Sequence, residues 1–274
     1  MRSLSFILIL EVVFLVTSFS SYFPHATFQN SGESKQELLV MSYNIHHANP
    51  PSKPDSIDIN AIVQTIMAQQ PDLVALQEID ADTERSGKGN QAQIIAEKLG
   101  MHFFFGKAID FESGGYGVAI LSKYPLSEKT VRKLPSKPGT AGEARVLATA
   151  KVTLPNGKSL RFGSTHLDAQ KENINRLLQI KKIAKISSEE KFPLIIAGDF
   201  NDTPDSEVIE ILDNNFNRTC NNCKPTIPVN TPLHAIDFIA YKPQEDFSVT
   251  EHEVINETYA SDHLPVVATI KLNF

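Results

Sequence analysis

Cysteine is scarce in this sequence of 274 residues: only Cys220 and Cys223 occur, in TCNNCKP. A single C-x-x-C with no second Cys or His pair is a poor zinc motif, and a local disulfide is the expected state in an exported chain. No internal repeat with a period of about 20 to 50 residues and no low-complexity block is present, which excludes solenoids and propellers. No Gly-x-Ser-x-Gly elbow is there to hold a nucleophilic serine, which argues against a metal-free esterase of that type. A basic excess is missing too. Lys and Arg number 26 against 32 Asp and Glu, a net charge of −6, and Lys181, Lys182, Lys185, Arg132, Lys133 and Lys137 are scattered among acids. Proteins that grip long nucleic acid show a basic stripe. Sequence-specific DNA binding is therefore not expected, whereas a small phosphate-bearing substrate is allowed.

One apolar run stands apart: FILILEVVFLV, from Phe6 to Val16, behind Arg2 and ahead of TSFSS. That order matches a secretory signal peptide, and about eleven apolar positions are too few for a helix crossing a bilayer of about 30 Å. Residues 1–21 are expected to be a signal peptide, 22–36 a flexible lead-in and 37–274 the functional domain of a secreted or periplasmic, monomeric protein. Glu11 within the run and the lack of an Ala-x-Ala site leave an alternative, an uncleaved membrane anchor formed by residues 6–16. That anchor is the one route by which membrane contact is expected. Removing residues 1–21 takes away one Arg (Arg2) and one Glu (Glu11), so the charge stays at −6.

With 41% hydrophobic residues, the remainder can bury a sizeable core. Short apolar runs at 37–45, 72–79, 116–123, 145–154, 160–167, 192–200, 235–242 and 265–274 predict strands. Ile59, Ile62, Val63, Ile66 and Met67 recur at helical spacing ahead of Pro71. Gln91 to Leu99 stops at Gly100, and Ile174 to Ile186 forms a third helical pattern. Thr203 and Pro204 are expected to start a fourth helix as N-cap and first residue. Strands apolar on both faces need cover on both sides, and the turn Pro155-Asn156-Gly157 signals an antiparallel hairpin. An α/β domain with layered mixed sheets and outer helices satisfies these faces.

Chemistry-bearing residues stand at the ends of those strands. MSYNIHH ends in Asn44, His46 and His47; ALQEID holds Glu78; STHLD holds His166 and Asp168; AGDFND holds Asp199 and Asn201; AIDFIAY holds Asp237; SDHLP holds Asp262 and His263. Taken singly, each has an ordinary explanation as a turn, cap or solvated strand end. Together they imply a shared cleft, because buried carboxylates and imidazoles are costly unless paired or metal-bound.

These segments, in this order, resemble the endonuclease/exonuclease/phosphatase superfamily over nearly the whole chain after about residue 38. GDFN and SDHLPV are the most specific pieces; YN, QE and THL add to them by order. The resemblance implies a four-layer α/β/β/α sandwich of two mixed β-sheets flanked by helices, and a divalent metal, Mg²⁺ or Mn²⁺. It implies metal ligation by Glu78 with Asn44 and Asp262. Asp199 would orient or deprotonate water, His263 paired with Asp237 would serve as acid/base or phosphate donor, and Asn201, His166 and Arg145 would contact the phosphoryl group. Tyr116 matches a substrate-side tyrosine of some relatives, with core packing as its other reading, and Asp168 would support His166 from behind. The implied activity is hydrolysis of a phosphoester by in-line attack of water: a phosphodiesterase, nuclease or phosphatase acting on nucleic acid, a phospholipid head group or a small ester.

Within the superfamily the acids of NDTPDSEV do not suit an inositol phosphatase. Export opposes an AP endonuclease, and no long aromatic-rich hairpin supports a sphingomyelinase. N-x-[ST] sequons fall at Asn201, Asn217 and Asn256, and a glycan on the first would block the cleft. A secreted binding module that kept the fold without turnover is the reading from another class.

Overall fold

The computed structural model describes residues 37–274; the expected signal peptide, lead-in and apolar run 6–16 lie outside the described residues. In chain order the elements are β1 (Glu37–Asn44), α1 (Ile59–Gln69), β2 (Leu73–Ala81), α2 (Gln91–Leu99), β3 (His102–Phe111), β4 (Gly114–Ser122), β5 (Leu126–Leu134), β6 (Arg145–Thr153), β7 (Ser159–His166), α3 (Ile174–Ser188), β8 (Leu194–Asp199), α4 (Glu207–Asp213), β9 (Asn217–Arg218), β10 (Asp237–Lys242), β11 (Phe247–Val254) and β12 (Val266–Leu272).

Alternation along β1 shows how the layers form. Leu38 and Val40 face one way into a core shared with Val152, Leu160, Phe162, Ile195 and Ile239. Met41 and Tyr43 face the other way, against Ile62 and Ile66 of α1 and Ile95 of α2. A strand with both faces apolar must be covered twice, and here the covers are a second sheet and a helical layer. The first sheet has the order β11-β12-β1-β2-β4-β3 and the second β5-β6-β7-β8-β10-β9. The outer face of the second sheet, through Ile196, Phe238 and Ala240, is covered by Ile180 and Ile183 of α3 and by Val208, Ile209 and Leu212 of α4. Both sheets are mixed: β1–β2 and β7–β8 are parallel, and their other pairs are antiparallel. The four-layer α/β/β/α sandwich is thus the observed architecture.

A polar link joins the facing sheets. Gln77 Nε2 donates to Ser164 Oγ at 3.3 Å, and Ser164 Oγ donates to the Leu76 carbonyl at 3.0 Å. Gly198 is required where β8 runs past β7, because a Cβ there would collide with the Thr165 carbonyl.

Four strands have no counterpart among the predicted ones: β3, β5, β9 and β11. Each is the edge strand of its sheet. The predicted start of α4 also shifts. Ser206 is the N-cap, accepting from Ile209 N at 3.2 Å, while Thr203 Oγ1 donates to Asp205 at 2.6 Å in the turn before it. Cys220 and Cys223 are joined in a disulfide.

Candidate active site

Strand register brings the site together. In the second sheet His166, the last residue of β7, pairs with Asp199, the last of β8. Asp199 in turn pairs with Asp237, the first of β10. Arg145 begins β6, antiparallel to β7, and so stands at the same end. In the first sheet Asn44 ends β1 beside Gln77 of the parallel β2. His263 lies in the 261–263 loop just ahead of β12, whose Ser261 Oγ donates to the Asn44 carbonyl at 2.7 Å. All the catalytic candidates therefore sit at one end of the sandwich, where the two sheets open.

Glu78 reaches this end through a β-bulge. Leu76 and Ile79 pair with Ala119 and Gly117, so β2 carries one extra residue there, and Glu78 takes a left-handed φ of 57°. A bulge re-aims one side chain without moving the rest of the strand: Gln77 stays buried between the sheets while Glu78 faces the cavity.

The cavity holds about 310 Å³ and includes Glu78, Arg145, His166, Asp199, Asn201 and His263 in its wall. Asp199 is its centre. Its Oδ2 lies 3.1 Å from Asn44 Nδ2, 3.5 Å from His166 Nε2 and 3.7 Å from His263 Nε2, while Oδ1 accepts the Asn201 N–H at 2.8 Å. Burial, together with the charge of Asp237, pushes its carboxyl up to about 7.

The two histidines are held in different states. Arg145 Nη1 lies 3.2 Å from His166 Nδ1, and a guanidinium only donates, so the proton of the neutral ring is on Nε2. Burial and the Arg145 charge keep this imidazole well below its ordinary value. Burial alone would also lower His263, but the Asp237 carboxylate, 2.9 Å from Nδ1, outweighs it and carries the ring up to about 10. Thr226 Oγ1 donates to the same Asp237 oxygen at 2.6 Å. His263 is consequently a cation at neutral pH and His166 a neutral donor.

The remaining predicted residues are placed as follows. Asn201 lines the cavity with a left-handed φ of 51° and gives one amide hydrogen to the Leu167 carbonyl at 3.0 Å. Of the three expected metal ligands only Glu78 lines the cavity. Asn44 is fully buried: its Nδ2 donates to Glu78 Oε1 and to Asp199 Oδ2, both at 3.1 Å, and its Oδ1 accepts the His46 N–H at 3.0 Å. Asp262 is half-buried and contacts Ser261 Oγ at 3.4 Å. Tyr116 lines the cavity, its phenol raised by burial and then by the Glu78 charge. Asp168 lies behind the wall, where Oδ2 accepts from Asn175 Nδ2 at 3.3 Å and the main-chain carbonyl accepts from Arg176 at 3.0 Å. Asp202, next to the site, pairs with Arg176 at 3.0 Å.

Six cavity residues had no role read from sequence: His46, His47, Arg85, Phe111, Glu143 and Ala169. Arg85 binds Asp80 through Nε (2.7 Å) and Nη2 (2.9 Å) and lies 4.4 Å from the Phe111 ring and 5.5 Å from that of Tyr116. It comes from a polar loop with no periodicity, which gave no signal. The adjacent histidines directly after a strand were a visible signal. Among the described residues two groups could hold a metal ion, His46–His47–Glu78 and Asp199–Asp237–His263.

Two mixed six-stranded sheets flanked by helices and opening onto paired carboxylates and imidazoles form a DNase I-like sandwich. Residues 41–263 match the Endonuclease/Exonuclease/phosphatase family, and the chain belongs to that family. It is 26% identical over 230 residues to the uncharacterised protein YbhP of Escherichia coli K12, covering 78% of this chain and 88% of that one. An endonuclease/exonuclease/phosphatase from Beutenbergia cavernae superimposes with a TM-score of 0.74 at 24% identity, covering 87% of this chain and 72% of that one. The mannosyl-6-phosphatase Bt3783 of Bacteroides thetaiotaomicron gives 0.67 at 20% identity, over 86% of this chain and 100% of that one. At these identities the two structures establish the shared fold.

Proposed function

We propose that this chain is an exported, divalent-metal-dependent hydrolase of phosphoesters. The observation that carries the reading is the Asp199 carboxylate flanked by His166 Nε2 and His263 Nε2 at 3.5 and 3.7 Å, on the wall of a cavity that also contains Arg145. A carboxyl near 7 is matched to taking a proton from water at neutral pH. His263, protonated and backed by Asp237, holds a positive N–H where negative charge grows on the phosphoryl group. With its value near 10 it stabilises that charge and does not act as the base. His166 adds a neutral N–H, Arg145 a fixed cation, and Asn201 its second amide hydrogen. Glu78 is the carboxylate facing the cavity to hold a divalent ion, which when bound supplies charge neutralisation and a more acidic water.

The test is a panel of bis-p-nitrophenyl phosphate, p-nitrophenyl phosphate, supercoiled DNA, RNA and sphingomyelin, each with Mg²⁺, Mn²⁺ or EDTA. Hydrolysis of at least one phosphoester, abolished by EDTA and by Glu78→Gln, is expected. Full activity in EDTA, or no hydrolysis of any ester under every metal condition, would refute the reading.

A further inference from the structure

We propose that His46 and His47 complete, with Glu78, a mixed nitrogen and oxygen site that selects a first-row transition ion such as Mn²⁺ or Co²⁺ over Mg²⁺. The inference rests on the hydrolase reading only in sharing Glu78 with it.

Three observations carry it. His46 Nδ1 lies 3.0 Å from the Asn49 carbonyl oxygen. That oxygen only accepts, so Nδ1 holds the proton and the neutral ring presents the Nε2 lone pair, the arrangement by which ligating imidazoles are oriented. His47 Nδ1 is shut off from solvent and has no hydrogen-bond partner; its nearest acid, Glu78 Oε2, stands 3.8 Å away, beyond hydrogen-bond range. A buried nitrogen facing a carboxylate across such a gap calls for an intervening ion or water, and two ligand bonds of about 2.1 Å to one ion reach across it. The three residues each offer a ligand atom within 4.8 Å of the others.

The backbone is distorted to bring the rings there. His46, His47 and Ala48 have φ of 45°, 43° and 60° in succession, each a left-handed conformation that is unfavourable for a non-glycine residue. The turn is held by the His46 N–H on Asn44, by Gln91 Nε2 on the His47 carbonyl at 2.7 Å, and by the Asn49 side chain on the carbonyls of Lys53, Pro54 and Ser56. Asn44 turns its Nδ2 toward Glu78 and Asp199 while its Oδ1 accepts the His46 N–H, and neither Asn44 nor Asp262 lines the cavity. The donors grouped with Glu78 are therefore two imidazoles, ligands suited to first-row transition ions, whereas Mg²⁺ is hard, oxygen-seeking and reluctant to give up its waters.

The test uses the whole chain, stripped of metal and reloaded with Mn²⁺ or Co²⁺. Pulsed EPR of the Mn²⁺ form of the unaltered protein is expected to show ¹⁴N coupling that disappears in the His46→Gln/His47→Gln double variant. In Co²⁺ titrations followed by visible absorption, that variant is expected to bind about 100-fold more weakly, with Mg²⁺ affinity changed by less than about threefold. Absence of ¹⁴N coupling in the unaltered protein, or coupling that survives in the double variant, overturns the proposal; the EPR of the unaltered chain does not depend on a variant folding. Nitrogen coupling without any phosphoester turnover would refute the hydrolase reading alone, and turnover without nitrogen coupling this one alone.

Discussion

Asn44→Ala separates two ways in which one amide can serve this site. The side chain is fully buried and makes three hydrogen bonds, to Glu78 Oε1, Asp199 Oδ2 and the His46 N–H. At a net contribution of about 1 kcal/mol each, its removal is expected to cost about 3 kcal/mol, or roughly 6–12 °C in Tm for a domain of this size. Because all three partners belong to the protein, that loss is present without metal. Urea unfolding in EDTA, followed by circular dichroism, measures it directly, and phosphoester turnover of the same preparation should fall with it. Asn44→Asp keeps an acceptor for His46 N, but it sets a third carboxylate between Glu78 and Asp199 and is expected to be at least as damaging at neutral pH. If Asn44 served instead as a metal ligand, stability in EDTA would be unchanged and the defect would appear only as weaker metal binding. Chelated Asn44→Ala within about 0.5 kcal/mol of the unaltered protein would therefore refute the bracing role.

Asp237→Asn removes the charge that keeps His263 protonated and is expected to lower kcat by about 10²- to 10⁴-fold; a kcat equal to that of the unaltered enzyme would contradict the role given to the pair. Gly198→Ala drives a Cβ against the Thr165 carbonyl, and thermal unfolding should show an overpacking loss of about 1–3 kcal/mol. His252, whose Nδ1 lies 2.9 Å from Thr219 Oγ1, is lowered by burial and then by Lys224 from 6.5 to about 4. The unfolded chain therefore binds the proton first, and stability should fall as pH drops from about 6.5 to about 4 and level off below. In His252→Gln that step in the pH–stability curve should be missing, and its persistence would assign it to another group.

The strands legible in the sequence and those that were not divide by position. The eight predicted ones include every interior strand of both sheets, whose faces are both buried and whose sequences are near-continuous apolar runs. β5, LSEKTVRKL, is exposed along most of its length, and β11, FSVTEHEV, is largely polar with only its first residue buried. Such half-solvated edges look like loops to a hydrophobicity reading. β3, HFFFGKAIDF, is aromatic yet lies at an edge, only partly buried, and was not among the predicted strands. At the site, residues carried to the cleft by strand register, His166, Asp199 and Asp237, were readable from the ends of apolar runs. The aim of Glu78 was not, because it depends on a bulge created by pairing with β4. Nor was the grouping of His46 and His47 with Glu78, since three consecutive left-handed residues are stabilised by partners as distant as Gln91.

The Gln77–Ser164 link gains weight when shear is considered in place of separation. Apolar layers resist being pulled apart, but they oppose sliding weakly, since one methyl contact is readily exchanged for the next. Glu78 and Asn44 ride on one sheet, and His166, Asp199 and Asp237 on the other, so a slip of a single residue between layers would move half of the site past the other half. Gln77 immediately precedes Glu78, Ser164 lies two residues before His166, and the pair joins β2 to β7 directly. They act as a dowel through two plates, fixing the alignment where the plates carry their working parts.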